Sequence, residues 1–478
     1  MQQKAEGSVT VFGAFMFILV CSVLFAQFHS TVYYMNRADV RRASHLAVES
    51  FLAEYCRPLR DGYGILAVDG GYGKKKLQME RIRNDLRDTF ERNSGRSSMG
   101  LQVGEPVLTM LIEDDWALFQ REISMNMEEN VPEEDVRGIM EQWELFKGQT
   151  ADGMKEPEES QTVQGAEREP SKAVLDPRQI LNDLWGKGIL AAACPETFQF
   201  SSAACSMDDV SFPHQGRFVE TSLNFKKISD LHQVFEQWDR EWDFNGMLSR
   251  PEEERKLFGF IFNRFRNALP DASDADKLNG VLQYEVEYIL AGNESDLDNL
   301  KSVLWKILAL RSILNMEHVL TSTEKKIQTA ETAAALASAF MVPYLTHVID
   351  HLLQFTWAFS EGLADCRCLL NGGRVPVFKD EASWHLSWNQ MLSLTSDQLN
   401  GSVGQSGLSY KEYMSLFLML TDRETIYQRM TNLMEKNIRL QPGYENFSMT
   451  NSIYGIQTEF ECHASGGQPL TMRSALSY

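Results

Sequence analysis

Apolar residues are spread unevenly along this chain. From Val9 to Phe28 they run without a single charged side chain. At about 1.5 Å rise per residue a helix over that run is about 30 Å long, the thickness of a bilayer's hydrocarbon core. A soluble core helix of that length carries a polar stripe, and this one has none. A cleaved signal peptide has a shorter apolar region, about 7–15 residues, closed by a small-x-small site. Ala26-Gln27-Phe28 departs from that pattern, so the expectation is a retained transmembrane anchor. Past it, Val32, Met35, Val40, Ala43, Leu46, Ala47, Phe51, Leu52 and Tyr55 recur at helical spacing, with Arg37, Asp39, Arg41, Arg42, Glu49 and Glu54 between them. No proline precedes Pro58 and no glycine lies between Gly13 and Gly62. The pattern predicts one long helix, apolar in its first half and one-faced in its second. The wet half must dock on something, either its own domain or a neighbouring subunit.

The remaining pattern is α+β and predominantly α. Residues 63–71 read as a short buried strand closed by a glycine turn, 77–92 as an amphipathic helix and 106–113 as β-like. Residues 151–170 carry six acidic side chains, two basic ones and almost no large apolar groups. They cannot bury enough surface to offset ordering entropy, so 148–175 is expected to be an acidic disordered linker. Helices follow over 178–186, 231–244, 253–268, 281–290, 296–315, 321–344, 345–370, 410–420 and 423–440. Asp176-Pro177 and Ser295-Asp296-Leu297-Asp298 supply start signals, and Gly372-Gly373 supplies a stop. The segment 333–345 is strongly apolar, but it is too short to span a bilayer and suggests a buried core helix instead. Alternation over 452–462, a Gly466-Gly467 turn and renewed alternation over 470–478 predict a hairpin. An isolated hairpin is marginal, so it is expected to join the N-terminal strands in one small antiparallel sheet. The layout is thus 1–28 tail and anchor, 29–147 stalk helix and small α/β unit, 148–175 linker, 176–445 helical domain and 446–478 hairpin.

Charge narrows the partners. The formal net charge is −20, and a nucleic-acid binder needs a cationic surface. Nucleic acid is therefore excluded as a partner class, whereas membrane lipid is implied through Val9–Phe28. Lys4 precedes the span and Arg37, Arg41 and Arg42 follow it; the positive-inside rule alone mildly favours a cytoplasmic C-terminal domain. Seven cysteines are too few for a disulfide framework, though Cys194 and Cys205 are close enough in sequence to pair.

Four patterns raise chemistry. His347 and His351, four apart on one helix face with Asp350 between, resemble the His-x-x-Glu-His arrangement of inverted zinc peptidases. Glu317, His318 and Asp365 are the available guesses for a third ligand, and the bland reading is two ordinary histidines on a core helix. Cys366-Arg367-Cys368 lacks zinc spacing. Gly70-Gly71-Tyr72-Gly73-Lys74-Lys75-Lys76 is a phosphate-friendly turn without the Walker spacing. Glu285, Glu287, Arg311, Glu361 and Asp365 are charges inside apolar helices; they are read as a paired network fixing helix register, with a catalytic acid pair as the sharper alternative. No catalytic residue, cofactor site or metal site is assigned.

The opening Gly7-Ser8-Val9-Thr10-Val11-Phe12 resembles the start of TadE/TadG-like proteins of Tad/Flp pilus systems. Further segments resemble an uncharacterised family of Gram-positive bacterial membrane-anchored proteins found alongside Tad-type pilus genes. These are residues 61–70 and 284–290; Arg311 with Asn315; Trp357-Ala358 with Glu361, Asp365, Leu369-Leu370 and Gly372-Gly373; Val375-Pro376-Val377 with Lys379; and Tyr410 with Tyr413. The resemblance implies a cytoplasmic N-terminus, an extracellular C-terminal domain and protein partners in a pilus-like assembly. It implies no catalytic residues. Pilin-like subunits usually carry Glu where this chain has Phe12, which argues against prepilin-type processing. The expected function is a non-enzymatic, membrane-anchored component of such an apparatus. The alternatives are an anchored hydrolase of zinc-metallopeptidase type and a ligand-sensing ectodomain.

Overall fold

A computed structural model describes residues 3–94, 100–113, 115–127, 188–213, 252–270, 272–392, 406–463 and 469–478. The expected linker over 148–175, the helices over 178–186 and 231–244 and the Gly466-Gly467 turn lie outside the described residues. The chain divides into two compact units, Met1–Glu122 with Gln441–Tyr478, and Ile123–Leu440. The class is α+β and predominantly α, with one small antiparallel sheet.

The first unit is organised by α1, Gln3–Leu52. Its apolar half is exposed throughout. Burial starts at Val40 and continues through Ala43, Ala47, Val48, Phe51 and Leu52, spaced to keep one stripe inward. The wet half thus docks on its own unit. It meets Ile82, Leu86 and Phe90 of α3 (Met79–Ser94), together with the sheet. The short strand expected over 63–71 is reduced further, to two residues. Pro58 starts a short helix, α2 (Arg57–Tyr63), and Gly64 ends it at φ 70, leaving only β1, Val68–Asp69.

The sheet is built on β4, Ser452–His463. β1, β2 (Gly100–Val103), β3 (Val107–Met110) and β5 (Leu470–Ser477) all pair with β4 antiparallel. Phe460 is fully buried and stacks on Phe90 at 5.2 Å between centroids. The Tyr478 hydroxyl donates to the Leu52 carbonyl, tying the end of the chain to the end of α1. Glu122, on α4 (Ala117–Asn126), accepts from Leu66 N at 3.2 Å and Tyr454 Oη at 3.3 Å. The Gly70–Lys76 turn is closed by Asp69, which accepts from Gly71 N at 2.9 Å and Gly73 N at 2.7 Å, while Lys74, Lys75 and Lys76 face water.

The second unit is helical: α5 (Ile189–Ala193), α6 (Glu252–Arg264), α7 (Glu285–Ala291), α8 (Asp296–Thr321), α9 (Thr323–Ala339), α10 (Thr346–Leu370), α11 (Trp388–Leu392), α12 (Tyr410–Leu420) and α13 (Arg423–Arg439). Ser295 caps α8 by accepting from Asp298 N at 3.1 Å, and Ser409 with Glu412 forms a capping box on α12. α8 and α10 run antiparallel at close range, because Gly362 sits opposite Leu308 and Ser312. A Cβ there would lie 3.1 Å from Leu308 Cδ1.

The segment 333–345 needs correcting. It is not a buried core helix: only Ala333, Leu336 and Ala337 are buried, while Phe340, Met341 and Tyr344 are exposed. The cause is local. Met341 takes a left-handed φ of 57 and Pro343 opens a 3-10 turn, so the chain reverses into α10 and the apolar residues form the tip of a helical hairpin.

Phe460→Ala removes the ring that joins the sheet to α3. Expected is a loss of about 3–5 kcal/mol, measured by urea unfolding of the full chain, with faster hydrogen exchange in β4.

Candidate functional site: a buried ion network

Glu361 and Asp365 lie one turn apart on α10, and Arg311 and Asn315 lie one turn apart on the facing side of α8. The chain leaving α10 returns over them because Val375 pairs with Leu408. Gly407 makes this approach feasible; at φ 105 it lies against the Pro376 backbone, where a Cβ would clash. That return brings in Lys379 and His385, and α12 contributes Tyr413.

The pairing is nearly complete. Arg311 Nε donates to Asp365 Oδ2 at 2.9 Å, and one terminal nitrogen donates to the carbonyls of Pro376 at 3.0 Å and Val377 at 2.7 Å. Its other terminal nitrogen donates to Asn315 Oδ1 at 2.9 Å, and Asn315 Nδ2 in turn donates to Asp365 Oδ2 at 3.0 Å. Lys379 Nζ pairs with Glu361 Oε1 and lies 2.5 Å from Asp365 Oδ1. Glu361 also accepts from the backbone N–H groups of His385 and Leu386, both at 2.8 Å. The side chains of Arg311, Glu361, Asp365 and Lys379 have no exposed surface. Two fixed cations thus balance two carboxylates in a space closed to solvent.

Burial opposes the charge of Asp365, but Arg311 and then Lys379 outweigh it and hold the carboxyl well below its usual range. His385 is raised from 6.5 to about 9 by hydrogen bonds to Asp365 and Glu361. Its Nδ1 is 3.0 Å from Glu361 Oε1 and also 3.0 Å from Lys379 Nζ. A protonated ring therefore donates to the glutamate, while repulsion from the ammonium opposes its charge.

Among the described residues, Glu361, Asp365 and His385 form a grouping with metal-ligand geometry, with ligand atoms within 4.8 Å of one another. The donor set does not suit a metal. Lys379 Nζ already lies among all three ligand atoms. A divalent ion would add two charges to a centre that Arg311 and Lys379 have neutralised. The ammonium is the cation of this cluster.

The other sequence candidates lie apart from it. Glu285 accepts from Asn437 Nδ2 at 2.6 Å and Arg266 N at 2.9 Å. Glu287 accepts from Ala268 N and Tyr410 Oη, each at 2.9 Å. Burial raises both to about 7, and Glu287 Oε2 is buried without a hydrogen-bond partner, which suits a protonated acid. His347 and His351 are exposed, their rings stacked 6.4 Å apart, and His351 Nδ1 meets Gln354 at 3.2 Å. Of the guessed third ligands, Asp365 belongs to the ion network. His318 lies against Trp384 at 5.0 Å and near Glu381 at 3.4 Å, and burial raises Glu317. Cys366 and Cys368 are both buried on α10, and Cys194 and Cys205 are not bridged. Lys379 enters the sequence reading only through the family resemblance, and His385 does not enter it at all. No spacing marks His385; the available signal was two buried acids needing more positive charge than Arg311 supplies.

Lys379→Met should cost about 3–5 kcal/mol by leaving a carboxylate uncompensated. Adding Glu361→Gln should recover part of that, giving a non-additive double-mutant cycle in urea unfolding. A chelator should leave the wild-type melting temperature unchanged.

The raised groups set a pH slope. Glu285 and Glu287 hold protons in the native state that the unfolded state releases from 4.5, so stability falls as pH rises from 4.5 to about 7. The His385 contribution is fully present below 6.5 and is lost as pH rises through about 9. Both act in the same direction. Melting followed from pH 4.5 to 9 should show a continuous decline, flattened in its lower half by Glu285→Gln with Glu287→Gln and in its upper half by His385→Asn.

The sequence profile of a family of unknown function, DUF5702, matches residues 166–464, which include every member of the ion network. No curated protein and no solved structure matches the chain. The matched span is more than half of the 478 residues and leaves out the N-terminal helix. The chain belongs to DUF5702, a family of unknown function.

Proposed function

We propose that this protein is a non-enzymatic, membrane-anchored component of a Tad/Flp-like pilus or envelope apparatus, with a cytoplasmic N-terminus and an extracellular C-terminal domain. The observation that carries the reading is α1. Among the described residues it is the one helix long and apolar enough to cross a membrane, and the same helix then enters a folded unit without a break. From Phe28 to the first buried position, Val40, the helix rises about 18 Å, and in that stretch only Asn36 and Asp39 are half-buried. It carries Val32, Tyr33, Tyr34 and Met35, all exposed. Tyrosines just beyond an apolar span suit the headgroup layer or a neighbouring helix. The pilus association rests on the resemblance of the N-terminal segment and of the internal motifs. The non-enzymatic reading is supported by the ion network, whose reactive groups engage one another.

Phe51 is committed to the unit's own core, so substitutions there test folding. Substitutions at Tyr34 and Met35 test assembly. Tyr34→Asp with Met35→Asp should leave membrane insertion intact and weaken recovery of cross-linked partner complexes about 30-fold, as for a lost contact of about 2 kcal/mol. Undiminished complexes would end the helix-packing reading. Topology is tested with single cysteines placed in 148–175 and at Gly467, probed on intact cells with a membrane-impermeant thiol reagent. Labelling before lysis is expected; labelling only after lysis would place the domain in the cytoplasm and remove the surface-apparatus reading.

A further inference from the structure

Ten large hydrophobic side chains outside α1 are exposed among the described residues, and four of them cluster between Phe340 and Val348. Phe340 is 55% exposed, Met341 87%, Tyr344 80% and Val348 39%. They crown the hairpin between α9 and α10. From Thr332 to Thr346 the sequence carries no charged side chain, in a chain that is 23% charged. The outer surface of the hairpin therefore offers water little to solvate. Its inner surface is fixed: Ala333 and Leu336 pack against Leu353, with Ile349 and Trp388 beside them. The result is a held, convex, uncharged tip bearing a phenyl ring, a thioether and a phenol.

An exposed apolar patch in a soluble domain marks something that covers it. We propose that this tip inserts into the interfacial layer of the bilayer to which the chain is tethered. Two observations favour lipid. The tip carries no charge to set the register of a protein contact. Its Phe and Met are apolar and its Tyr joins a ring to a hydroxyl, a combination that suits an apolar face sunk to the headgroup boundary. The proposal rests on the anchored reading of α1. A tether makes second contacts with the same membrane effectively intramolecular, so weak partitioning suffices.

The test uses the full chain reconstituted into phosphatidylcholine vesicles, an uncharged lipid that isolates apolar insertion from electrostatics. Cys56, Cys194, Cys366, Cys368 and Cys462 are buried, so Cys21→Ser with Cys205→Ser leaves no accessible thiol among the native cysteines. Adding Tyr344→Cys permits an environment-sensitive dye at the tip. A separate Cys205→Ser variant, labelled on native Cys21, reports on the anchor. Expected are several-fold stronger quenching of the tip dye by headgroup-borne nitroxide than by aqueous iodide, and loss of that preference on adding Phe340→Asp with helix content unchanged. A tip dye quenched by iodide and not by nitroxide, with the Cys21 dye in lipid, overturns the proposal and leaves the anchor standing. A tip dye shielded from both quenchers means that a protein surface covers the hairpin and also overturns it. A Cys21 dye in water overturns the anchored reading and this proposal with it.

Discussion

The helical unit depends on making four buried charges tolerable. An arginine, a lysine and two carboxylates without exposed surface carry a desolvation penalty that only complete mutual pairing offsets. That requirement fixes the distance and register of α8 against α10 through Arg311, Asn315 and Asp365. It also fixes the return of the chain after α10, since Arg311 must find the carbonyls of Pro376 and Val377 and Glu361 must find the amides of His385 and Leu386. Apolar packing alone allows helices to slide with modest loss. A lattice of directional bonds to two backbone segments and three helices does not.

The first unit solves a different problem with one helix. α1 is apolar all round over Val9–Phe28, long enough to cross a membrane, and one-faced from Val40, where its own sheet is its partner. No glycine or proline interrupts α1 past Gly13, so the apolar span and the core segment are one continuous helix.

Much of this architecture was legible in the sequence. The long apolar helix, its one-faced continuation and the predominance of helix follow from periodicity, which reports burial directly. The terminal alternation marked β4 and β5 for the same reason. What periodicity could not reveal was partnership. Glu361 and Asp365 were visible as acids on an apolar helix, but Lys379 and His385 arrive on an irregular segment whose path is set by Gly407 and the Val375–Leu408 bridge, and no local pattern encodes such a path. The hairpin tip shows the opposite failure. The segment 333–345 looks like core by composition, yet the left-handed turn at Met341 and the proline after it place half of it in water.

The place of β4 in the sheet governs when the first unit becomes complete. β1, β2 and β3 are all made by the time Met110 is added, yet each bonds to a strand that begins at Ser452. A ribosome making this chain therefore delivers the long apolar helix and three strands that have no central partner, then the helical unit, and only then the strand that joins the sheet. The first unit is the last to close. While everything between Met110 and Ser452 is being synthesised, its apolar face must be shielded by something other than its native sheet, as is characteristic of long-range topologies.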